Sequence, residues 1–261
     1  MVESNIKIIQ TLKEFLNMIS NDLDLKNCFI EKPTDFVRER VLTYERTIFL
    51  LINMLKRSIS IELEEFFQTC ISKTMSCTKS AFTLQRKKLK PKFFQVWNDL
   101  LVLCFYDLYG NAVKKWNGFI LIAVDGSTLN LMNKEAVIAH FGTHGNHFAQ
   151  VPMAGVLKFY DVLNKITVFS KIYPITRGEK TIMAENVEKI PENSLSLYDR
   201  GFPSFSLMYL LIKKERTRHF VMRCKENCNK EISDFVKSKT KDLIIELGPN
   251  DRASQNERIW F

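Results

Sequence analysis

Hydrophobic side chains recur at helical spacing in the N-terminal part of the chain. Apolar positions over residues 36–55 repeat every three or four residues and predict one long or broken helix. Ser58 and Ser60 are candidate N-caps of a second helix, whose first turns are acidic. A third helix is expected over residues 78–89, and a fourth is expected to reach about Tyr109. The pattern therefore predicts an all-helical region.

After Gly118 the pattern changes to compact apolar runs that are rich in β-branched residues, which favour strands. The predicted elements are a strand over 119–124, a hairpin of strands 155–162 and 165–173, a helix over 179–189, a strand over 194–198, a helix from 202 to about 214, and a strand over 219–223. We therefore expect an α/β protein with a helical domain over residues 1–117 and a mixed sheet with flanking helices over 118–261.

Composition narrows the class of protein and of partner. The 261 residues are 46% hydrophobic and 26% charged, with 9 Gly and 7 Pro, which excludes disordered and collagen-like chains. The net charge of +9 suits a polyanionic partner such as nucleic acid. Six cysteines without a disulfide-framework density, the lack of a signal-peptide pattern and the short apolar runs predict a cytoplasmic protein without a membrane partner.

Two aspartates follow predicted strands and precede turns that contain glycine. Asp125 comes after the first strand and Asp199 after the fourth. If these strands are neighbours, both carboxylates face one crevice, where their repulsion favours a divalent cation with oxygen ligands, above all Mg²⁺. The alternative is structural, because Asp-Gly is a common turn dipeptide and Asp-Arg can be a local ion pair.

These residues belong to motifs that resemble the DDE transposases of bacterial insertion-sequence family four. The matching segments are Ile122-Ala123-Val124-Asp125-Gly126-Ser127-Thr128-Leu129, Phe159-Tyr160-Asp161-Val162, Tyr198-Asp199-Arg200-Gly201-Phe202-Pro203-Ser204, Phe220-Val221-Met222-Arg223-Cys224-Lys225 and, upstream, residues 80–89. Together they cover about residues 36–261 in the order of the family.

The resemblance implies an RNase H-like catalytic domain, in which Asp125 and Asp199 are the first and second metal-binding aspartates. It implies two Mg²⁺ ions, or Mn²⁺ in their place, and an Arg200 side chain that faces DNA phosphate. The implied activity is metal-dependent cleavage of double-stranded DNA at transposon ends and strand transfer into target DNA. A homodimer on paired ends, associated with the nucleoid, is expected with it.

The family's third acid is a glutamate on a later helix, within a Tyr-x2-Arg-x3-Glu-x6-Lys box that this sequence lacks. The acids after Asp199 that do not fit the box are Glu215, Glu226, Glu231, Asp234, Asp242, Glu246, Asp251 and Glu257. We expect residues 242–247 to begin a β-rich insertion, within which the chain ends, so that this chain is inactive. The alternative function is therefore a catalytically inactive DNA-binding remnant or an inhibitor of transposition.

Two basic segments are candidates for DNA contact. Five positive charges lie within seven residues at the end of the third predicted helix, namely Arg86, Lys87, Lys88, Lys90 and Lys92. Helices over 61–70 and 79–89 would then form a helix-turn-helix-like pair. The alternative is a solvated helix end whose cations complement the helix dipole. The second segment comprises Lys213, Lys214, Arg216, Arg218, Arg223 and Lys225. We expect these side chains either to follow a DNA backbone or to face solvent.

Overall fold

The computed structural model describes residues 2–38, 40–54, 57–71, 75–145, 148–213 and 218–244. The chain divides into two compact units, Met1–Asn111 and Ala112–Phe261. The first unit is helical and the second contains a mixed sheet with helices, so the chain has the predicted α/β class. The division at 111/112 lies slightly before the predicted domain boundary at 117/118.

The helical unit contains six α-helices among its described residues. They are α1 (Val2–Asn21), α2 (Leu23–Asn27), α3 (Tyr44–Asn53), α4 (Ile59–Phe66), which continues into a π-helical turn (Phe67–Ile71), α5 (Lys79–Arg86) and α6 (Lys92–Tyr109). Hydroxyl caps define two of the helix starts, since Thr43 accepts a hydrogen bond from the Arg46 N–H and Thr78 accepts one from the Ala81 N–H. The predicted helices from Ser58, from Thr78 and up to Tyr109 are confirmed.

Two apolar clusters form the core of this unit. Phe93 is fully buried in the first and stacks edge-on against Phe29 and Tyr44. Phe82 is fully buried in the second, against Leu50 and Leu63. Burial of each of these large side chains contributes on the order of 2 kcal/mol to folding, so both clusters stabilise the unit.

The predicted helix over residues 36–55 is wrong in its first half, because helix α3 begins only at Tyr44. Phe36 and Leu42 are buried, but they lie in a loop, and Phe36 has a φ of 56°. Their spacing therefore reflects burial of a loop against the core rather than a helix. Helix α1 was not predicted from the sequence.

The second unit is built on a six-stranded sheet. Its elements are β1 (Ile120–Asn130), α7 (Glu135–Phe141), β2 (Thr143–Gly145), β3 (Gln150–Asp161), β4 (Ile166–Pro174), α8 (Glu179–Glu185), β5 (Ser194–Tyr198), α9 (Phe205–Lys213), β6 (Arg218–Met222) and α10 (Lys230–Ser238). The strands run β4-β3-β1-β5-β6 across the sheet, and β2 pairs with the start of β3. The β4-β3-β1 pairs are antiparallel, and the β1-β5-β6 pairs are parallel.

The predicted order of strands and helices is confirmed, with three differences. Strand β1 does not end at Asp125 but continues to Asn130, since β3 pairs with it throughout. Elements α7, β2 and α10 were not predicted. Residues 242–244 are not in a strand, and the rest of the strand expected over 242–247, like that at the chain end, lies outside the described residues.

Helix α8 packs on the sheet through Ile182 and Met183, which are fully buried. It contacts β3 and helix α9. On β1, Ile122 and Val124 are buried and alternate with more exposed neighbours, as expected for a strand with one covered face. Among the described residues, every helix is too short or too polar to cross a lipid bilayer.

Candidate acidic site at the parallel strand pair

The register of strands β1 and β5 brings the two predicted aspartates together. The parallel ladder pairs Ile120 with Ser194 and continues in register to Val124 and Tyr198. Asp125 is the next residue of β1, Asp199 is the residue directly after β5, and both are exposed. Because paired strands lie about 4.8 Å apart, the two carboxylates stand side by side at the point where the parallel pairing ends.

Asp125 lies in a continuous strand, not in the turn that its Asp-Gly dipeptide suggested. Its partner across the antiparallel pair with β3 is Lys158. Directly opposed residues of paired strands share a face of the sheet, so the exposed Lys158 lies on the same face as Asp125. The Lys158 Nζ atom is 4.8 Å from the centre of the Tyr160 ring. Sequence reasoning missed Lys158 because only the strand register identifies it.

Asp199, by contrast, begins a tight turn directly after β5. Its Oδ1 atom accepts a hydrogen bond of 2.8 Å from the Gly201 N–H, and its carbonyl accepts one of 3.3 Å from the Phe202 N–H. Phe202 is buried and its ring centre lies 5.5 Å from that of Tyr198. This packing fixes the turn and leaves Arg200 exposed beside Asp199.

A third carboxylate, that of Glu179, reaches the same place from the first residue of α8. A Cβ atom added to Gly126 would lie only 1.2 Å from Oε1 of Glu179. A Cβ added to Gly201 would lie 3.7 Å from Oε2 of Glu179 and 3.1 Å from Oδ1 of Asp199. Gly126 therefore leaves the space that this carboxylate occupies, whereas a side chain at Gly201 would be in ordinary contact with it.

Helix α8 is tied to the Asp199 turn by its second residue. The Lys180 ammonium donates a hydrogen bond of 2.8 Å to the Pro203 carbonyl. Burial raises the pKa of the Glu179 carboxyl above its ordinary value, and the charges of Asp199 and Asp125 raise it further, against the opposing effect of Lys180. The site therefore concentrates negative charge.

Glu179 was not predicted from the sequence, because the family's third acid follows the second aspartate and Glu179 precedes it. The available signal was local. Glu179 follows Gly178 at the start of a predicted helix, between the two strands that carry the aspartates. Within the described ranges, no group of three or more His, Cys, Asp or Glu side chains has the geometry to hold a metal ion.

The donor chemistry of the aspartate pair nevertheless fits Mg²⁺. This ion usually binds one or two carboxylates and completes its octahedral shell with waters and substrate phosphates rather than with an all-protein cage. Carboxylate oxygens suit Mn²⁺ equally well. Asp125 and Asp199 are therefore the residues that could hold such an ion, with Glu179 beside them.

The basic residues at the end of α5 lie in different environments. The Lys90 ammonium donates a hydrogen bond of 3.1 Å to the Asn27 carbonyl, and the Arg86 guanidinium lies 5.7 Å from the centre of the Phe82 ring. Lys87 is exposed, and the Lys88 Nζ atom lies 3.9 Å from the Asp35 Oδ1 atom. Lys90 therefore holds its own unit together, whereas Arg86 and Lys87 remain accessible.

The helices proposed as a DNA-reading pair correspond to α4 and α5, which contact each other. Part of their connection, residues 72–74, lies outside the described residues, as do Lys214, Arg216 and the side chain of Lys213 in the second basic segment. Arg218 of that segment is buried and forms an ion pair of 3.1 Å with Glu188. The expectation that Arg218 tracks a DNA backbone or faces solvent is therefore wrong.

Part of the chain is similar in sequence to a protein that is named as a transposase. No protein-family model matches the sequence. Over 123 residues the chain is 23% identical to the "Putative transposase InsZ" of Escherichia coli (strain K12), and the matched segment covers 46% of this chain and 41% of that protein. The match thus spans less than half of the relative's length.

A solved structure was also matched, the cryo-EM structure of the piggyBac transposase synaptic complex with hairpin DNA. The sequences are 13% identical, the match covers 76% of this chain and 44% of that chain, and the TM-score is 0.42.

Proposed function

We propose that this chain is a transposase-type protein of the DDE class that binds double-stranded DNA and cuts it in a metal-dependent reaction. The observation that carries the proposal is the parallel register of β1 and β5, which sets Asp125 level with Asp199. Carboxylates at the end of a parallel strand pair are a common place for ligand chemistry. The similarity to a transposase supports the same class of activity.

Asp125 and Asp199 would hold Mg²⁺ or Mn²⁺. When bound, such an ion activates a water or a 3′-hydroxyl group and stabilises the leaving oxygen of a phosphodiester. Glu179 adds negative charge beside the pair, which favours binding of a cation and disfavours its loss. Glu179 is a third carboxylate at this site, and it is the reason that we propose activity for this chain, against the expectation of inactivity drawn from the missing box.

The remaining work of the site is to position DNA and to attract its phosphates. Lys158, opposite Asp125, and Arg200, next to Asp199, place one positive charge on each side of the acidic pair. Cations in these positions attract the phosphates that flank a scissile bond. Catalysis of this kind depends on orientation and preorganised charge more than on covalent chemistry by the protein.

We infer further that the sheet unit is an RNase H-like domain and that the protein joins transposon ends to target DNA as a homodimer. The inference rests on the order of the strands, with three antiparallel strands continued by two parallel ones, and on the resemblance of the motifs around both aspartates.

Cleavage of duplex DNA by the purified chain tests the proposal. We expect cleavage in Mg²⁺ or Mn²⁺ but not in EDTA. Asp125→Asn and Asp199→Asn should each lower the cleavage rate by about 100-fold or more, because each removes a charged ligand. The control is Asp234→Asn, which removes the same charge from an exposed position on α10 and should leave the rate unchanged.

Binding of the same duplex separates the two functions. Both site variants should bind DNA as the wild type does, since neither removes a positive charge. Cleavage retained in either variant would remove that aspartate from the site. A wild type that binds duplex DNA but does not cut it with either ion would favour the alternative, a DNA-binding inhibitor or remnant.

A further inference from the structure

A basic cleft of about 390 Å³ opens in the helical unit, between the loop that follows α2 and the C-terminal end of α5. We call it the Arg38 cleft. Its lining includes Thr34, Phe36, Arg38, Arg40, Gln85 and Lys88. None of its described lining residues is acidic, so three cations share one concave surface.

Hydrogen bonds between distant residues fix the backbone around this cleft. The Glu31 N–H donates to the Lys88 carbonyl at 2.9 Å, and the Lys90 N–H donates to the Phe29 carbonyl at 2.9 Å. The Gln85 side chain donates at 2.9 Å to the carbonyl of Leu42. The two walls therefore belong to one framework, and the cleft exists before any ligand enters.

The floor of the Arg38 cleft is apolar and well packed. Phe36 is buried, and its ring lies edge-on to Tyr44, with the ring centres 5.5 Å apart. The Lys88 Nζ atom lies 5.7 Å from the centre of the Phe36 ring. A low-polarity floor beneath cations strengthens their attraction for an anion, because less water screens the charges.

Within the described residues, the two arginines of the Arg38 cleft have no anionic partner, and Lys88 has a distant one. Arg38 and Arg40 are exposed, and neither guanidinium has a hydrogen bond or ion pair within the described part of the chain. Lys88 has a loose contact of 3.9 Å with Asp35. Guanidinium groups bind phosphate oxygens through paired N–H donors, and an ammonium group adds a compact charge.

We propose that the Arg38 cleft binds a backbone phosphate of double-stranded DNA. Arg38 and Arg40 supply the paired donors, and Lys88 supplies charge at the floor. Arg86 and Lys87, at the end of α5, are exposed and add positive charge near the cleft. A DNA duplex carries a row of phosphates, so further positive charge outside the cleft favours its binding. The inference rests on the proposed function, since it names the place where the helical unit holds DNA.

The test is the affinity for a short fluorescent duplex, measured by anisotropy over a range of salt concentrations. The double variant Arg38→Gln/Arg40→Gln is compared with Lys13→Gln/Lys79→Gln, which removes two exposed charges from the same unit outside the cleft. We expect the cleft variant to bind about tenfold more weakly. The slope of log affinity against log salt concentration should become less steep by about 0.9, because one phosphate contact is lost. The control should change affinity by less than about twofold, with the slope unchanged.

Thermal melting of each variant shows that both remain folded, as expected for exposed side chains. Equal affinities and equal slopes in the two double variants would overturn the cleft while leaving DNA binding by the protein intact. A wild type that binds no duplex at any salt concentration would overturn both the cleft and the proposed function. The single variant Lys88→Gln should lie between the wild type and the cleft double variant.

Discussion

Three aspartates within or at the ends of strands of the same sheet have two opposite environments. Asp161 ends β3 and is fully buried, and its Oδ1 atom accepts hydrogen bonds from the Leu163 and Asn164 N–H groups at 3.1 and 3.0 Å. Its Oδ2 atom accepts another from the Asn164 side chain at 2.7 Å. Asp125 and Asp199 are exposed, stand beside each other and lie close to a third acid.

The difference separates a carboxylate that builds structure from one that is available for chemistry. The oxygens of Asp161 accept hydrogen bonds from donors of its own turn, and these bonds stabilise the buried charge. The acids near Glu179 repel one another and face solvent, so that a bound cation stabilises them. The first arrangement strengthens the fold, and the second costs stability until a ligand binds.

The largest expected effect comes from removing the structural carboxylate. Asp161→Ala leaves several donors of a buried turn without an acceptor and should lower the free energy of unfolding by about 2–4 kcal/mol. Urea denaturation followed by circular dichroism measures it. Asp125→Ala, which deletes an exposed carboxylate, should change the free energy of unfolding by less than about 0.5 kcal/mol. Equal losses in the two variants would abolish the distinction between the two positions.

A methyl group at Gly126 tests the contact between β1 and Glu179. Gly126→Ala must displace the Glu179 carboxylate, because the new Cβ would otherwise lie 1.2 Å from Oε1. We expect Mn²⁺ affinity to fall by about two- to fivefold while the fold is kept, because a favourable charge moves away. The matched control is Gly178→Ala, whose Cβ meets Thr181 Oγ1 at an ordinary 3.6 Å. An unchanged affinity in Gly126→Ala would show that the position of Glu179 is irrelevant to metal binding.

The smallest expected effect is on the pH dependence of stability. The pKa of Glu179 is raised in the folded state, so the folded protein binds this proton more tightly than the unfolded chain does. The resulting stability is present at acid pH and is lost as the pH rises through the raised pKa. Glu179→Gln should therefore raise the melting temperature of the metal-free protein at neutral pH by about 1–3 °C.

This gain should shrink as the pH falls below the pKa of Glu179, where the native side chain is also neutral. Thermal melts of both proteins in EDTA across the acid-to-neutral range measure it. A gain that is independent of pH would assign the effect to packing rather than to charge.

Local patterns were sufficient to predict much of the fold. The strand over 194–198 has the predicted bounds, and the hairpin of β3 and β4 and the helix starts after Ser58 and Thr78 were also predicted. In each case the signal is local, either an alternating apolar run or a capping side chain. The wrong helix over 36–43 shows the limit, because buried loop residues such as Phe36 imitate helical spacing.

The site depends on information that spacing does not contain. The sequence suggested that Asp125-Gly126 forms a turn, whereas the structure places both residues within β1. Pairing across β1, β3 and β5 decides which side chains meet, and this pairing is non-local. Lys158 and Glu179 join the site only through that register and through the packing of α8, so neither was predicted.

Binding of Mn²⁺ to the purified chain, measured by electron paramagnetic resonance of the free ion, tests the central claim most directly. The account predicts that the wild type binds the ion and that Asp125→Asn/Asp199→Asn weakens binding by about tenfold or more. Asp234→Asn should bind as the wild type does. A double variant with wild-type affinity would contradict the claim that the end of the parallel strand pair is a metal site.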